Sequence, residues 1–265
     1  MLHYKTTTIG NETYNFLKAE ASSCKDIPGR IKKEIETTIC SKGLSFRLAN
    51  LEDIERISTF QKNVFHPHTA TLETEYELYR IIKYGYGLLI EDDEKNIKGC
   101  YTTIHYSGKE KEGYGIRVGI SPEIAGHNFA AKLAKYATVL AFENGCKNFN
   151  ALMSPTNFRS ASNVLNYVGY HCSKFHRNLP SFGTRFEISL PLSLETLNDS
   201  EIDMEKVLNF INTREANNDY FLLQPGELDR MENIYATTDF KIIAFLKNGV
   251  LDEKDYFFAV STNTH

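Results

Sequence analysis

A strand that turns directly into a helix at residues 117–133, Arg-Val-Gly-Ile-Ser-Pro-Glu-Ile-Ala-Gly-His-Asn-Phe-Ala-Ala-Lys-Leu, constrains this chain more than any other stretch. The apolar run before Ser121-Pro122 suits a strand. After the small-residue turn, Ala130, Leu133, Ala134, Ala137, Leu140 and Ala141 recur at helical i, i+3, i+4, i+7 spacing. A strand feeding a helix start through small residues makes an anion site. The first-turn N–H groups have no intrahelical acceptor, and the helix dipole adds partial positive charge there.

The remaining elements follow from periodicity and punctuation. A helix over Ile31–Cys40 follows Pro28-Gly29. Leu44–Leu48 alternates as a strand, and Asn50 caps a helix with Glu52 and Asp53 in its first turn. That helix ends at His66-Pro67-His68, and a second runs from Thr71 to Tyr84. Gly87–Glu91, Ile97–Tyr106 and Tyr114–Ile120 read as three strands joined by polar turns. After the long helix, stopped by Asn144-Gly145, come a strand Phe149–Met153, a helix ending near Gly169, and strands His171–Phe175 and Thr184–Leu190. The rest reads as a helix Glu201–Asn217, a strand Tyr220–Leu223, a helix Glu227–Tyr235 and strands Phe240–Leu246 and Asp255–Val260. Three segments result: an accessory stretch 1–43, a domain 44–192 and a small α+β extension 193–265. Phe221–Asp229 faintly echoes Phe46–Ile54, so a degenerate second copy of the first half competes with a simple appendage that packs on the domain or makes an oligomer contact.

The 265 residues suffice for one large domain or two small ones, and their 42 % apolar and 24 % charged content is ordinary for a globular protein. A net charge of −4 gives no global field for nucleic acid or an acidic membrane. No apolar run is long enough to cross a bilayer, and the N-terminus lacks a signal-peptide core. Five scattered cysteines without a CxxC pair fit reduced thiols in a cytoplasmic protein. His66 and His68 lack a third clustered ligand, so no metal is expected.

Ile120-Ser121-Pro122-Glu123-Ile124-Ala125-Gly126-His127-Asn128-Phe129-Ala130 resembles the pyrophosphate loop of the GNAT superfamily of N-acetyltransferases. In that family a strand ending Val-x-Pro-Glu leads into Arg/Gln-Gly-x-Gly-x-Gly/Ala. Pro122-Glu123, Gly126 and Ala130 match. Ala125 stands where the family prefers Arg or Gln, and Asn128 where it prefers Gly; Asn tolerates unusual backbone angles better than most residues. A second block also resembles the family: Asn157, Ser160 or Ala161, Val164, Leu165, Gly169 and Tyr170. Its interval from Asn157 to Gly169 is one residue longer than the pattern. The element order over 44–190, β α α β β β α β α β β, is similar to the family's.

The resemblance implies an α/β (α+β) fold with a mixed, mostly antiparallel sheet flanked by helices. It implies an acyl-CoA-dependent N-acyltransferase with acetyl-CoA, or another acyl-CoA, as co-substrate and a small-molecule or peptide amine as acceptor. Coenzyme A would thread between the strands Tyr114–Ile120 and Phe149–Met153. Backbone groups of Ala125, Gly126, His127, Asn128, Phe129 and Ala130 would hold the pyrophosphate, those of Val118 and Ile120 the pantetheine arm, and Asn157 the far side. Leu165 stands where many members carry a thiolate-protonating tyrosine, and Tyr167 lies roughly 200° around the helix from it. The strand before the loop offers no acid, so His105, Tyr114 and Glu91 are the expected catalytic candidates. Arg117 points to an alternative, transfer of a longer acyl chain to an amino acid whose carboxylate Arg117 would bind. A catalytically inactive acyl-CoA-binding regulatory module is a third reading, and a homodimer is compatible with all three.

Overall fold

The computed structural model describes residues 6–9, 12–15, 26–66, 72–108, 110–198, 202, 204–213 and 220–261. Two compact units emerge: Cys24–Phe149 with Leu192–Leu194, and a second of Met1–Ser23, Asn150–Pro191 and Glu195–His265. The dividing line falls after Phe149, inside the 44–192 segment. Pro67, His68 and Thr71 lie outside the described residues, so the second half of the His66–His68 turn does too.

In the second unit, β1 (Thr6–Ile9) and β2 (Glu12–Asn15) pair antiparallel as a hairpin of their own. The 24–149 unit starts with α1 (Ile27–Cys40). The Asp26 carboxylate accepts from the Gly29 N–H at 2.9 Å and Pro28 occupies the first turn, both favourable at a helix start. There follow β3 (Ser45–Leu48), a single 3₁₀ turn, α2 (Ile54–Val64), α3 (Glu75–Tyr84), β4 (Gly85–Glu91), β5 (Ile97–Ser107), β6 (Lys111–Ile120) and α4 (Phe129–Glu143). Thr74 caps α3: its hydroxyl accepts from the Glu77 N–H while the Glu77 carboxylate accepts from the Thr74 N–H.

Strands β3, β4, β5 and β6 lie side by side, each antiparallel to the next. One face carries α2 and α3, whose Ile57, Phe60, Leu78 and Ile81 close on Leu89, Ile97 and Cys100. The other carries α4. A Cβ on Gly113 would stand 2.6 Å from the Phe149 ring and 3.1 Å from the Ala141 Cβ, so the missing side chain lets α4 and Phe149 press on β6. α4 buries residues on nearly every side, among them Phe129, Leu133, Tyr136, Ala137 and Val139. The sheet covers one side and α1 another, through Tyr136 Oη donating to Glu36 at 2.6 Å and Lys32 pairing with Glu143 at 2.7 Å. The accessory N-terminal helix therefore completes the burial of the helix that follows the candidate loop.

β7 (Asn148–Met153) leads into the second unit. There α5 (Phe158–Ala161) continues as a π-helical stretch over Ser162–Val168 that Gly169 closes with φ +93°. The Gly169 N–H reaches back to the Val164 carbonyl, one residue further than an α-helix would. This wide turn absorbs the extra residue noted between Asn157 and Gly169. β8 (His171–Leu179), β9 (Gly183–Pro191), α6 (Leu194–Asn198), α7 (Met204–Thr213), β10 (Tyr220–Leu223), α8 (Leu228–Thr237), β11 (Phe240–Leu246) and β12 (Tyr256–Ser261) follow. Their antiparallel order is β9, β8, β11, β12, β10.

The echo between the two halves is real but local. The Asp53 carboxylate accepts from the Asn50 N–H, and the Glu227 carboxylate from the Gln224 N–H at the same spacing. The strand order differs, however. β3 pairs with β4, the first strand after its helices, whereas β10 pairs with β12, the second after its helix. The C-terminal segment is thus not a topological copy of the first half.

Candidate functional site

The site is built where β6 leaves the sheet. Thr102 pairs with Arg117 and Thr103 with Gly115, so Ile116 is an extra residue and β6 bulges there. Beyond the bulge the Ser121 N–H donates to the Lys98 carbonyl of β5 at 2.7 Å. Antiparallel hydrogen bonding alternates along a strand, so Arg117 and Gly119 also direct their backbone groups to β5. Val118 and Ile120 direct theirs to the opposite edge.

The chain then turns sharply. Lys98 pairs with Glu123 and, at 3.3 Å, with Asp92, which pins the Pro122-Glu123 corner beside β5. Ala125 is extended, Gly126 has φ +92° and Asn128 has φ 54°, ψ 26°. Asn128 therefore adopts the left-handed geometry for which the family pattern uses glycine, and its side chain makes no cap on α4. The first turn, Phe129-Ala130-Ala131-Lys132, contains no acidic residue. Ala125, Gly126, His127 and Asn128 are exposed, Ala130 is half-buried and Phe129 is buried. The His127 ring lies 5.5 Å from that of Phe129. A Cβ on Gly126 would meet nothing within 4 Å. The result is a shallow loop of small residues whose helix start offers unfilled N–H donors and partial positive charge to an anion.

Asn128 supplies a direct test of this backbone. Asn128→Gly is expected to change stability by less than ~1 kcal/mol, since either residue accepts a left-handed φ. Asn128→Val should cost roughly 1–2 kcal/mol, because a β-branched side chain clashes there. Thermal unfolding of the two variants measures the difference.

The three expected catalytic side chains do not converge. Glu91 is only 1 % exposed and is an ion-pair acceptor, not a free base: it accepts from Arg47 Nε and Nη2 at 2.8 Å and from Arg56 Nη2 at 2.7 Å. His105 pairs with Gly113 and so lies on the α4 face, beside Tyr86 at 4.9 Å. It stands six residues along β5 from Gly99, the partner of Ile120, which is roughly 20 Å at strand spacing. Burial pushes its imidazole below the ordinary histidine value, with Lys111 adding to the effect. Tyr114 lies between Gly113 and Gly115, so alternation puts it on the α2–α3 face, where its ring meets Tyr106 at 6.4 Å.

Asn157 belongs to the second unit and caps α5, its side chain accepting from the Ser160 N–H at 3.1 Å. Leu165 is fully buried, while Tyr167 is exposed.

Arg117 is already engaged. Its Nε donates to Glu73 Oε1 and Oε2 at 3.1 and 2.9 Å, and its Nη2 to Oε1 at 2.9 Å. The guanidinium also sits 5.2 Å over the Phe65 ring. Glu73 thus brings a carboxylate to the Arg117 end of β6, where the strand has none of its own; its one acid, Glu112, lies at the far end. Nothing in the local sequence marks it, because its partner is 44 residues away.

Among the described residues, no group of three His, Cys, Asp or Glu side chains could hold a metal ion, and no helix is long and apolar enough to cross a membrane.

Residues 51–162 match the model of the acetyltransferase (GNAT) family. No curated protein sequence is significantly similar to the chain. Solved structures with a similar arrangement include the NatC complex bound to Gag peptide and CoA, at 16 % identity over 57 % of this chain and 99 % of that one, with a TM-score of 0.49. Another is Arabidopsis thaliana NAA60 in complex with acetyl-CoA, at 12 % identity over 56 % and 99 % and a TM-score of 0.49. A GNAT-family acetyltransferase from Streptococcus pneumoniae is 13 % identical over 57 % and 99 %, with a TM-score of 0.48. The bulged strand, the left-handed turn and the open helix start all lie inside residues 51–162, the segment that matches the acetyltransferase (GNAT) family model.

Proposed function

We propose that the chain transfers an acetyl group from acetyl-CoA to a primary amine of a small molecule or peptide. The observation that carries this reading is the loop from Ala125 to Ala130. Within the family-matched segment it combines an uncapped helix start, small exposed residues and two left-handed backbone positions. These features fit a pyrophosphate, which needs several N–H donors and close backbone approach.

Acetyl-CoA supplies the activated acyl carbonyl. The protein's part is binding and orientation. Backbone N–H groups from Gly126 to Ala130 hold the phosphates, and His127 borders them. The edge-directed backbone groups of Val118 and Ile120 align the pantetheine arm and donate to the thioester oxygen as negative charge develops on it. The acceptor nitrogen forms the new C–N bond, the C–S bond breaks, and the sulfur leaves with its electron pair. One proton of the acceptor ammonium goes to solvent and a second ends on the sulfur.

Of the expected side chains we retain Tyr114, on the same sheet face as Arg117. His105, on the opposite face, and Glu91, saturated by two arginines, are not carried forward. Nor is transfer to an amino acid held by Arg117, whose fork is taken up by Glu73.

The test is release of CoA thiol from acetyl-CoA by the purified protein, counted only above the rate of the same mixture without protein, with hydroxylamine, tyramine, cadaverine and a peptide with a free N-terminus. Saturable release with at least one of them is the expected result. No release with any, hydroxylamine included, would overturn the enzymatic reading in favour of a binding module.

A further inference from the structure

The ion pair on the bulged strand determines more than local packing. Glu73 and Arg117 are both largely shielded, with side chains 11 % and 19 % exposed. Phe65 lies against the guanidinium, and both Phe60 and Phe65 come within contact distance of the Gly119 position. Arg117 precedes Val118, the residue whose edge-directed backbone lies at the proposed thioester. The pair therefore borders the place from which an acceptor nitrogen would approach on the α2–α3 face.

The two members are not equally available there. Arg117 presents its Nε and Nη2 side, the face that would clasp a ligand carboxylate, to Glu73. An ionised carboxylate has about four lone-pair sites. The contacts to Glu73 place two donors on Oε1 and one on Oε2. Oε2 thus keeps an acceptor position. The pair offers an anion's lone pair to an incoming ligand while the Nε–Nη2 edge of its cation is occupied.

We infer that Glu73, held by Arg117, is a specificity-determining residue that admits the ammonium of a simple primary amine and disfavours amines carrying an adjacent carboxylate. This rests on the acetyltransferase reading. An ammonium N–H finds Oε2. A neighbouring carboxylate finds the Glu73 anion with the Arg117 fork already filled, and like charges that close are unfavourable.

Matched acceptors with a single amine, differing only by that carboxylate, provide the test: tyramine against tyrosine, and phenethylamine against phenylalanine. The wild type should favour the decarboxylated member by at least ~10-fold in kcat/KM, about 1.4 kcal/mol. In Glu73→Gln the charge is gone and the Arg117 fork is loosened. The ratio should fall toward one or invert, with acetyl-CoA binding by calorimetry unchanged within about threefold. Glu73→Asp, which keeps the charge, should retain the preference at a lower rate and serves if the Gln variant does not fold.

A wild type that shows no preference, or a Gln variant that keeps it, would overturn the inference. So would release with hydroxylamine but with none of the four amines. Parallel loss of acetyl-CoA binding, rate and thermal stability in the Gln variant at an unchanged ratio would show a purely structural pair and also overturn it. Absence of release with every acceptor, hydroxylamine included, is the separate failure of the acetyltransferase reading itself.

Discussion

Glu91→Ala is expected to lower the unfolding free energy by about 3 kcal/mol, the low end for removing one partner of a buried ion pair. Glu91 and Asp53, 1 % and 3 % exposed, share Arg47 and Arg56. The network ties β3, the start of α2 and the end of β4 together. Truncating Glu91 strips three donor contacts from the arginines at a place where water has little access. Two facts hold the cost near the low end. The arginines are more than a third exposed, at 35 % and 39 %, and both keep Asp53 as a partner. A loss of this size shifts the thermal midpoint of a chain this long by roughly 6–12 °C.

The same network sets an acid limit. Hydrogen bonds from Arg47, outweighing burial, hold the Asp53 carboxyl down to about 2. Burial would push Glu91 up, but the hydrogen bonds from Arg47 and Arg56 bring it below the ordinary value. Both folded values lie below the unfolded ones near ~4. Their stabilisation is therefore complete above about pH 4 and is lost as pH falls through the folded values. Thermal melts between pH 6 and pH 2 should show a steep acid limb in the wild type and a shallower one in Glu91→Ala. Superimposable limbs would contradict this account of the network.

Gly126→Asp is expected to raise the KM for acetyl-CoA at least ~100-fold, equivalent to about 3 kcal/mol. Two effects combine. A φ of +92° is costly for a residue with a side chain, by roughly 1–2 kcal/mol. A carboxylate near 5 Å from a phosphate charge adds about 1–3 kcal/mol at effective dielectrics between water and a protein surface. A Cβ at this position meets nothing within 4 Å, so the fold itself should lose no more than the backbone strain. Gly126→Asn separates the two effects, since it carries the strain without the charge and should raise KM only ~10-fold. Equal effects of Asp and Asn would mean that no phosphate lies beside Gly126.

Much of the fold was legible because its signals are local. Tyr220–Leu223 and Phe240–Leu246 are found at the residues their β-branched and aromatic runs specify. The Ala- and Leu-rich periodicity after Asn128 gave α4, and Asn144-Gly145 ended it as expected, with Gly145 at φ +77°. Even the one-residue surplus before Gly169 was visible as a count; only its form, a π-helical turn, was not.

What stayed hidden depends on partners distant in sequence. Glu91 reads as an isolated strand carboxylate until Arg47 and Arg56 are folded against it. Arg117 reads as a free fork until Glu73 arrives from the turn before α3. The bulge at Ile116 reverses side-chain alternation on β6, so strict period-two reasoning could not say which face Arg117 shares with α2 and α3. The direction of the Val118 and Ile120 backbone groups depends on pairing register, which leaves no mark in composition or spacing.

Calorimetric titration of the wild-type protein with acetyl-CoA tests the central claim most directly. The loop from Ala125 to Ala130 predicts saturable binding at one site per chain, with a dissociation constant on the order of 1–100 μM, as is usual for enzyme substrates. Absence of saturable binding at millimolar acetyl-CoA would contradict it.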